Sequence, residues 1–273
     1  MRTSTSKTSL ILFLLSLFVL NLSAQEQTLL KTLIQADLEK IVVSSTNPCG
    51  YSIYRSSDGK CNNSLNQDLG ATEIPLRRAF AAQYGPPKFK EAYSGQGRLN
   101  PRAISNYISV QNRSLPNTHQ LRAFVFTWGQ FLDHDITETP SNPAEKEVIP
   151  LPENEPLFRI PLSFTRSLAH SETGESNPRQ QTNAITAWID ASNVYGSDEE
   201  RADWLRTRRH GKLKTATGHL LPFNTTDGQF HSPIDPHAPM MAGNEELRHK
   251  VFVAGDVRAN EQPGLTALHT LFV

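Results

Sequence analysis

The stretch Trp128-Gly-Gln-Phe-Leu-Asp-His-Asp-Ile136 sets an acidic residue on each side of a histidine, at the end of an apolar-periodic segment. Upstream, Leu121, Phe124, Val125, Trp128 and Leu132 recur at offsets of three, four, seven and eleven residues. That period predicts an amphipathic helix. At about 100° per residue, Gln130, Asp133 and His134 share one face, while Asp135 points about 100° away from His134. One helix end therefore offers a polar trio to one site and a lone carboxylate to another beside it. A solvated helix terminus reads equally well from these residues alone, because Asp and His are common on surfaces. Pro116-Asn117-Thr118 supplies a helix start, with Asn117 or Thr118 as the cap.

On either side the chain divides by composition. The 273 residues allow one large domain or two small ones with an ample core. Lys+Arg and Asp+Glu balance at 27 each. That balance argues against nucleic acid or an anionic membrane surface as the main partner. Arg2 and Lys7 precede the apolar run Leu10–Leu20, and Ser23-Ala24 follows, which reads as a secretory signal peptide over 1–24. The run is short for a membrane anchor, and no later segment is apolar enough to span. Export puts the two cysteines, Cys49 and Cys61, in a disulfide rather than free or on a metal.

Helical spacing predicts a leading helix over 25–45. Residues 47–106 are rich in Pro, Gly, Asn and Ser, which predicts long ordered loops with a short helix near Pro75–Gln83. Six prolines over 138–165 predict a surface loop. Ser197-Asp198-Glu199-Glu200 begins like a capped helix. Residues 210–240 read as irregular, 243–250 as helical, and 262–273 as the start of another helix.

Two further stretches carry chemistry. Thr186-Ala-Trp-Ile-Asp190-Ala-Ser192 places oxygen donors at alternate residues. In an extended loop Thr186, the Trp188 carbonyl, Asp190 and Ser192 face one side. That is a hard-oxygen set of the kind calcium takes, without the glycine and closing glutamate of an EF-hand. A solvated edge strand or turn is the competing reading. In Ala254-Gly-Asp-Val-Arg-Ala-Asn-Glu261, Gly255 permits a close backbone approach. Arg258 and Glu261 face one way if the segment is helical. An arginine beside a histidine lets one group move a proton while the other stabilises negative charge. A surface Arg–Glu pair, worth under ~1 kcal/mol, is the alternative.

Taken in order, Trp-Gly-Gln-Phe-Leu-Asp-His-Asp, Asp-Ala-Ser-Asn-Val-Tyr-Gly-Ser and Ala-Gly-Asp-Val-Arg-Ala-Asn-Glu-Gln closely resemble the animal-type haem peroxidases of the peroxidase–cyclooxygenase superfamily, nearest its peroxidasin-like members. Tyr54–Asn63, Pro178-Arg179-Gln180 and His269-Thr270-Leu271-Phe272 add to the match, which runs from about Cys49 to Val273. The resemblance implies a mainly α domain with long ordered loops, residues 25–273 forming its distal part. It implies haem b and Ca2+ as cofactors, and hydrogen peroxide with a halide, thiocyanate or phenolic donor as substrates. It makes His134 the distal histidine, Arg258 the distal arginine and Gln130 the pocket glutamine. Asp133 and Glu261 take the places of the carboxylates that form ester bonds to haem. Asp135, Thr186, Trp188 through its carbonyl, Asp190 and Ser192 take the calcium places. Gln262 stands where some members carry a methionine joined to haem, so that third link is not expected.

One departure bears on activity. The family's iron is held by a proximal histidine farther along the chain, with an asparagine partner. The other histidines here (His119, His170, His210, His219, His231, His237, His249 and His269) match no family ligand motif, and His269 reads as a packed helix residue. An axial ligand sets iron reactivity. The expectation is therefore a fragment covering the distal half, inactive alone. The alternative is a catalytically silent, calcium-stabilised secreted or matrix-binding module of the same fold. Asn62, Asn112 and Asn224 lie in Asn-x-Ser/Thr sequons, meaningful in a eukaryotic secretory pathway. Oligomeric state is not legible.

Overall fold

The computed structural model describes residues 54–84, 90 and 98–273. The signal-peptide, leading-helix and Cys49 expectations lie outside the described residues. Helices exceed strands among the described residues, and ordered loops join them. The helices are α1 (Pro101–Ser109), α2 (Phe124–Ile136), α3 (Ser192–Tyr195), α4 (Glu199–Trp204) and α5 (Pro263–Leu271). Two small antiparallel sheets pair β1 (Ile74–Pro75) with β4 (Thr182–Asn183), and β2 (Ser141–Ile149) with β3 (Leu162–Ser167).

The Trp128–Ile136 helix is present but begins later than its cap signal. α2 starts at Phe124. Asn117 instead closes a turn, its side chain accepting the His119 N–H at 2.7 Å and its carbonyl the Gln120 N–H at 3.0 Å. This local hydrogen bonding competes with helix propagation. The apolar stripe also does not mark the buried face. Thr127, Phe131, His134 and Asp135 are buried, while Leu121, Phe124 and Val125 are exposed. The face is set by what docks on it, namely α3 and α5.

Four other expectations are corrected. α1 lies within the predicted loops of 47–106. Asn100 accepts from the Arg102 and Ala103 N–H groups, and Pro101 supplies the fixed φ of a first turn. Residues 75–83 form no helix: β1 pairs Pro75 with Thr182, and the Leu76 N–H reaches Gln181 O at 2.9 Å. The proline-rich 138–165 loop contains β2 and β3 of a hairpin, with Pro143 inside the register shift between Ser141 and Lys146. A bulge is where a strand tolerates proline. Residues 243–250 make turns around Asn244, whose side chain accepts the His249 N–H at 3.0 Å.

α4 and α5 match their signals. Asp198 caps α4 by accepting the Arg201 N–H, and Gln262 caps α5 by accepting the Gly264 N–H with Pro263 in the first turn. α5 packs on α2 through Phe131, Val194, Leu265 and Leu268. Burying each such side chain contributes about 1.5–3 kcal/mol. Phe131 stacks on Phe272 with ring centroids 5.1 Å apart. A second core joins Leu205, Leu221, Met241, Val253, Ala254 and Ala259. Between them the chain at Gly255 presses onto α3. A Cβ there would meet Ser192 O at 2.3 Å and Gly196 N at 2.5 Å, so the close approach expected of Gly255 is real and excludes a side chain.

Candidate active site

The α2–α5 packing brings the end of α2 against the 255–262 segment. His134 is buried, its Nδ1 3.7 Å from Asp256 Oδ1 and its Nε2 3.9 Å from Glu261 Oε2. Gln130 donates to Glu261 Oε2 at 2.8 Å and accepts from Gln262 at 3.1 Å. Asp133 is exposed on the same rim. Arg258 is fixed by Asp256, donating from Nε at 3.0 Å and Nη2 at 2.7 Å, and from Nη2 to Thr137 O at 3.0 Å. Arg258 and Glu261 share a turn rather than a helix, with the Glu261 N–H on Arg258 O at 2.9 Å.

The electrostatics follow from this packing. Burial, with the Arg258 charge, holds His134 below the ordinary imidazole range against the pull of Asp256, Glu261 and Asp133. His134 is therefore neutral at neutral pH. Carboxylates stand near both ring nitrogens, Asp256 toward Nδ1 and Glu261 toward Nε2, and the buried Nδ1 has no hydrogen-bond partner. Burial disfavours the Arg258 charge, but the hydrogen bond and charge of Asp256 more than offset it. Arg258 stays cationic throughout the range where His134 is neutral.

A second cluster lies on the opposite face of the same helix end. Thr186 Oγ1 is 3.1 Å from Ser192 Oγ and 3.3 Å from Asp190 Oδ1. Ser192 Oγ is 3.2 Å from Asp135 Oδ1. The Ala191 and Asn193 N–H groups donate to the Asp135 carboxylate at 3.0 and 3.2 Å. The donors converge through a turn with Ala191 in the left-handed region (φ 62°), not through the extended alternation expected. Trp188 sets its indole Nε1 close to where a Gly70 Cβ would sit. Burial raises the Asp135 carboxyl, and Asp190 adds to it, against the hydrogen bonds from Ala191, Asn193 and Ser192. Arg55 approaches Asp190 Oδ2 at 3.2 Å from the periphery. Two carboxylates and two hydroxyls in so small a space form a hard-oxygen donor set.

Sequence reasoning missed two residues that organise these clusters, Asp256 and Asn193. Asp256 was inside a quoted motif, but only the fold turns it beneath Arg258 and toward His134. Asn193 joins the two clusters: its N–H meets Asp135, its carbonyl accepts the Asp256 N–H at 2.9 Å, and its amide donates to Phe131 O at 2.8 Å. His269 is fully buried edge-on to Phe131, with ring centroids 5.0 Å apart. Neither ring nitrogen has a hydrogen-bond partner, and the Asn193 backbone approaches without reaching that geometry. Burial lowers His269 to about 4. His269 is thus a packed residue, as its helical position suggested.

The chain resembles known proteins over most of its length. The family model described as animal haem peroxidase matches residues 54–273. The peroxidasin homologue pxn-1 of Caenorhabditis elegans is 32% identical over 271 residues, covering 84% of this chain and 20% of the relative. Myeloperoxidase of Mus musculus is 34% identical over 255 residues, covering 81% of this chain and 34% of the relative. Peroxidase A from Dictyostelium discoideum superposes with a TM-score of 0.57 at 24% identity, covering 81% of this chain and 44% of that one. The Arabidopsis thaliana fatty acid alpha-dioxygenase gives the same TM-score at 20% identity, covering 84% of this chain and 31% of that one. At these identities the two structures show a shared fold alone. The chain spans a fifth to a third of these curated relatives. No helix among the described residues is long and apolar enough to cross a membrane. With its family model matched across residues 54–273, the chain belongs to the animal haem peroxidases, a family of haem-binding peroxidases.

Proposed function

We propose that this chain supplies the distal side of a secreted haem peroxidase that reduces hydrogen peroxide while oxidising a halide, thiocyanate or phenolic donor. The observation that carries the reading is a buried His134 facing Asp256 and Glu261, with Arg258 held on the same turn by two hydrogen bonds to Asp256. His134 Nε2 takes a proton from one peroxide oxygen and returns it to the other. Arg258 stabilises the negative charge that develops as the oxygens separate. Gln130, tied to Glu261 and Gln262, lines the pocket where the peroxide is oriented.

The residues fit both cofactors. Asp133 and the Glu261 side chain, 44% exposed, stand on the open rim where a haem edge would lie. They are the carboxylates assigned to its ester links. Bound haem would supply the iron centre that takes the two oxidising equivalents of hydrogen peroxide and passes them to the donor. For Ca2+, a buried Asp135 with the Ser192 hydroxyl 3.2 Å from its Oδ1, and the Thr186 hydroxyl 3.1 Å from that of Ser192, matches the oxygen chemistry of that ion. Asp135, Thr186, the Trp188 carbonyl, Asp190 and Ser192 would hold it. Calcium at Asp135 fixes the helix turn that aims His134, one residue away. Cys61 is half of a disulfide, and Cys49 is the remaining cysteine of the sequence. We assign that pairing to the secreted protein.

The test is purification of the whole gene product with haem and calcium. A Soret band and peroxide-dependent dye oxidation are expected. His134→Ala should lower turnover roughly 10²–10⁴-fold while the Soret band persists. Unchanged turnover removes the role given to His134. Absence of haem uptake overturns the enzyme reading in favour of a catalytically silent, calcium-stabilised secreted or matrix-binding module.

A further inference from the structure

The Asn-x-Ser/Thr sequons at Asn62, Asn112 and Asn224 are identical in their sequence requirement, but the fold separates two of them sharply. Asn224, in Asn224-Thr225-Thr226, is fully buried. Its amide donates to His249 O at 2.8 Å and accepts the Val251 N–H at 3.0 Å. Its backbone N–H and carbonyl are bonded to Val251 and Asp235. A sugar on the Asn224 nitrogen would replace one of its two N–H bonds and, with Asn224 fully buried, have to open the surrounding fold. Asn112, in Asn112-Arg113-Ser114, is exposed in an irregular segment that is exposed from Val110 through Phe126. The residues around it are unusually apolar for such a position. Tyr107 is 88% exposed, and Ile108, Val110 and Leu115 are also exposed. Apolar groups clustered on one short surface stretch invite association between chains. A bulky, hydrated group at Asn112 would stand among them.

We infer that Asn112 is an N-glycosylation site whose glycan shields the exposed apolar stretch 107–115, and that Asn224 carries none in the folded, secreted protein. The inference rests on the proposed entry into a eukaryotic secretory pathway. The donor is a polyprenyl-diphosphate-linked oligosaccharide. The Asn112 Nδ2 attacks the anomeric carbon, the bond from that carbon to the diphosphate oxygen breaks, and an N–C bond replaces it. The displaced polyprenyl diphosphate leaves, and the amide proton passes to a base. No oxidant or reductant is needed. Transfer precedes folding, so selection acts afterwards: a molecule modified at Asn112 folds unhindered, whereas one modified at Asn224 does not reach this structure.

The test expresses the chain in eukaryotic cells and examines the secreted protein peptide by peptide. An amidase that releases N-glycans converts a glycan-bearing asparagine to aspartate, which mass spectrometry reads at each position. Asn112 should be converted and Asn224 unchanged. Asn112→Gln and Ser114→Ala should each remove one glycan's mass and raise the aggregated fraction on size-exclusion chromatography. Asn224→Gln should leave the glycan mass of any secreted protein unchanged. An unconverted Asn112, or a converted Asn224 in monomeric secreted protein, overturns the inference. If the chain's own leader does not direct secretion, the secretory reading fails. Residues 25–273 behind a foreign leader then decide the two asparagines by the same readout, and a bare Asn112 there overturns the site.

Discussion

The two faces of the α2 terminus solve opposite electrostatic problems. On one face, Asp256 is matched by Arg258 through two side-chain hydrogen bonds, and the group is complete within the protein. On the other, Asp135 and Asp190 are gathered with hydroxyls, and among the described residues the cation that reaches them is the peripheral Arg55. A buried carboxylate needs a counter-charge or it takes up a proton. The first face contains its own. Under the proposed reading the second receives one from solution. The difference teaches where to expect cofactor-dependent stability: in the oxygen-donor loop, not in the arginine–aspartate pair.

Breaking the self-sufficient face should have the largest effect on stability. Asp256→Ala leaves Arg258 buried without its partner. About 3–5 kcal/mol of unfolding free energy should be lost in urea titration, with or without calcium. A loss seen only in calcium-free buffer would dissolve the contrast between the faces. Next comes pH. The folded-state value of His269, about 4, lies below its ordinary 6.5, so the unfolded chain binds the extra proton between them. Stability should fall as pH drops from 6.5 toward 4, by as much as about 3 kcal/mol, and level off below. His269→Phe should flatten the melting temperature across that window. An unchanged slope would place the responsible proton elsewhere.

The second face yields the ion-dependent effects. Calcium at about a hundred times its dissociation constant should add roughly 2.7 kcal/mol to stability. Asp135→Ala should abolish that increment, and a variant that keeps it would move the ion to another site. The smallest effect belongs to Arg55→Ala. The pair with Asp190 is partly exposed, so stability should change by less than about 1 kcal/mol. Calcium affinity should nevertheless rise, since a competing cation is gone. Weaker calcium binding would make Arg55 a support of the loop instead.

The sequence made legible those elements whose signals are local. Asp198 before α4 and Gln262-Pro263 before α5 are caps that act on their own neighbours, and both helices begin there. The ordered motifs likewise named the donors that the structure gathers at Asp135 and the side chains it gathers at His134. What escaped depends on distant partners. β2 and β3 exist because Lys146–Ile149 finds Leu162–Thr165, a pairing that composition hides under prolines. The buried face of α2 depends on α3 and α5 rather than on its own apolar stripe. Asp256 lies two residues from Arg258 in the chain, and its partnership appears only when Gly255 lets the backbone fold down onto α3.

Asn193 stands at the boundary between the two faces, with one backbone group on each: its N–H on Asp135 and its carbonyl on the Asp256 N–H. A single peptide segment is therefore shared by the loop that would hold an ion and the turn that carries Arg258. Any displacement of that segment on ion binding must be transmitted as a change in free energy at the other face. By thermodynamic reciprocity, whatever factor calcium contributes to binding on the His134 side, a ligand on that side contributes to calcium. Any coupling carried through Asn193 is therefore a single factor, measurable from either side.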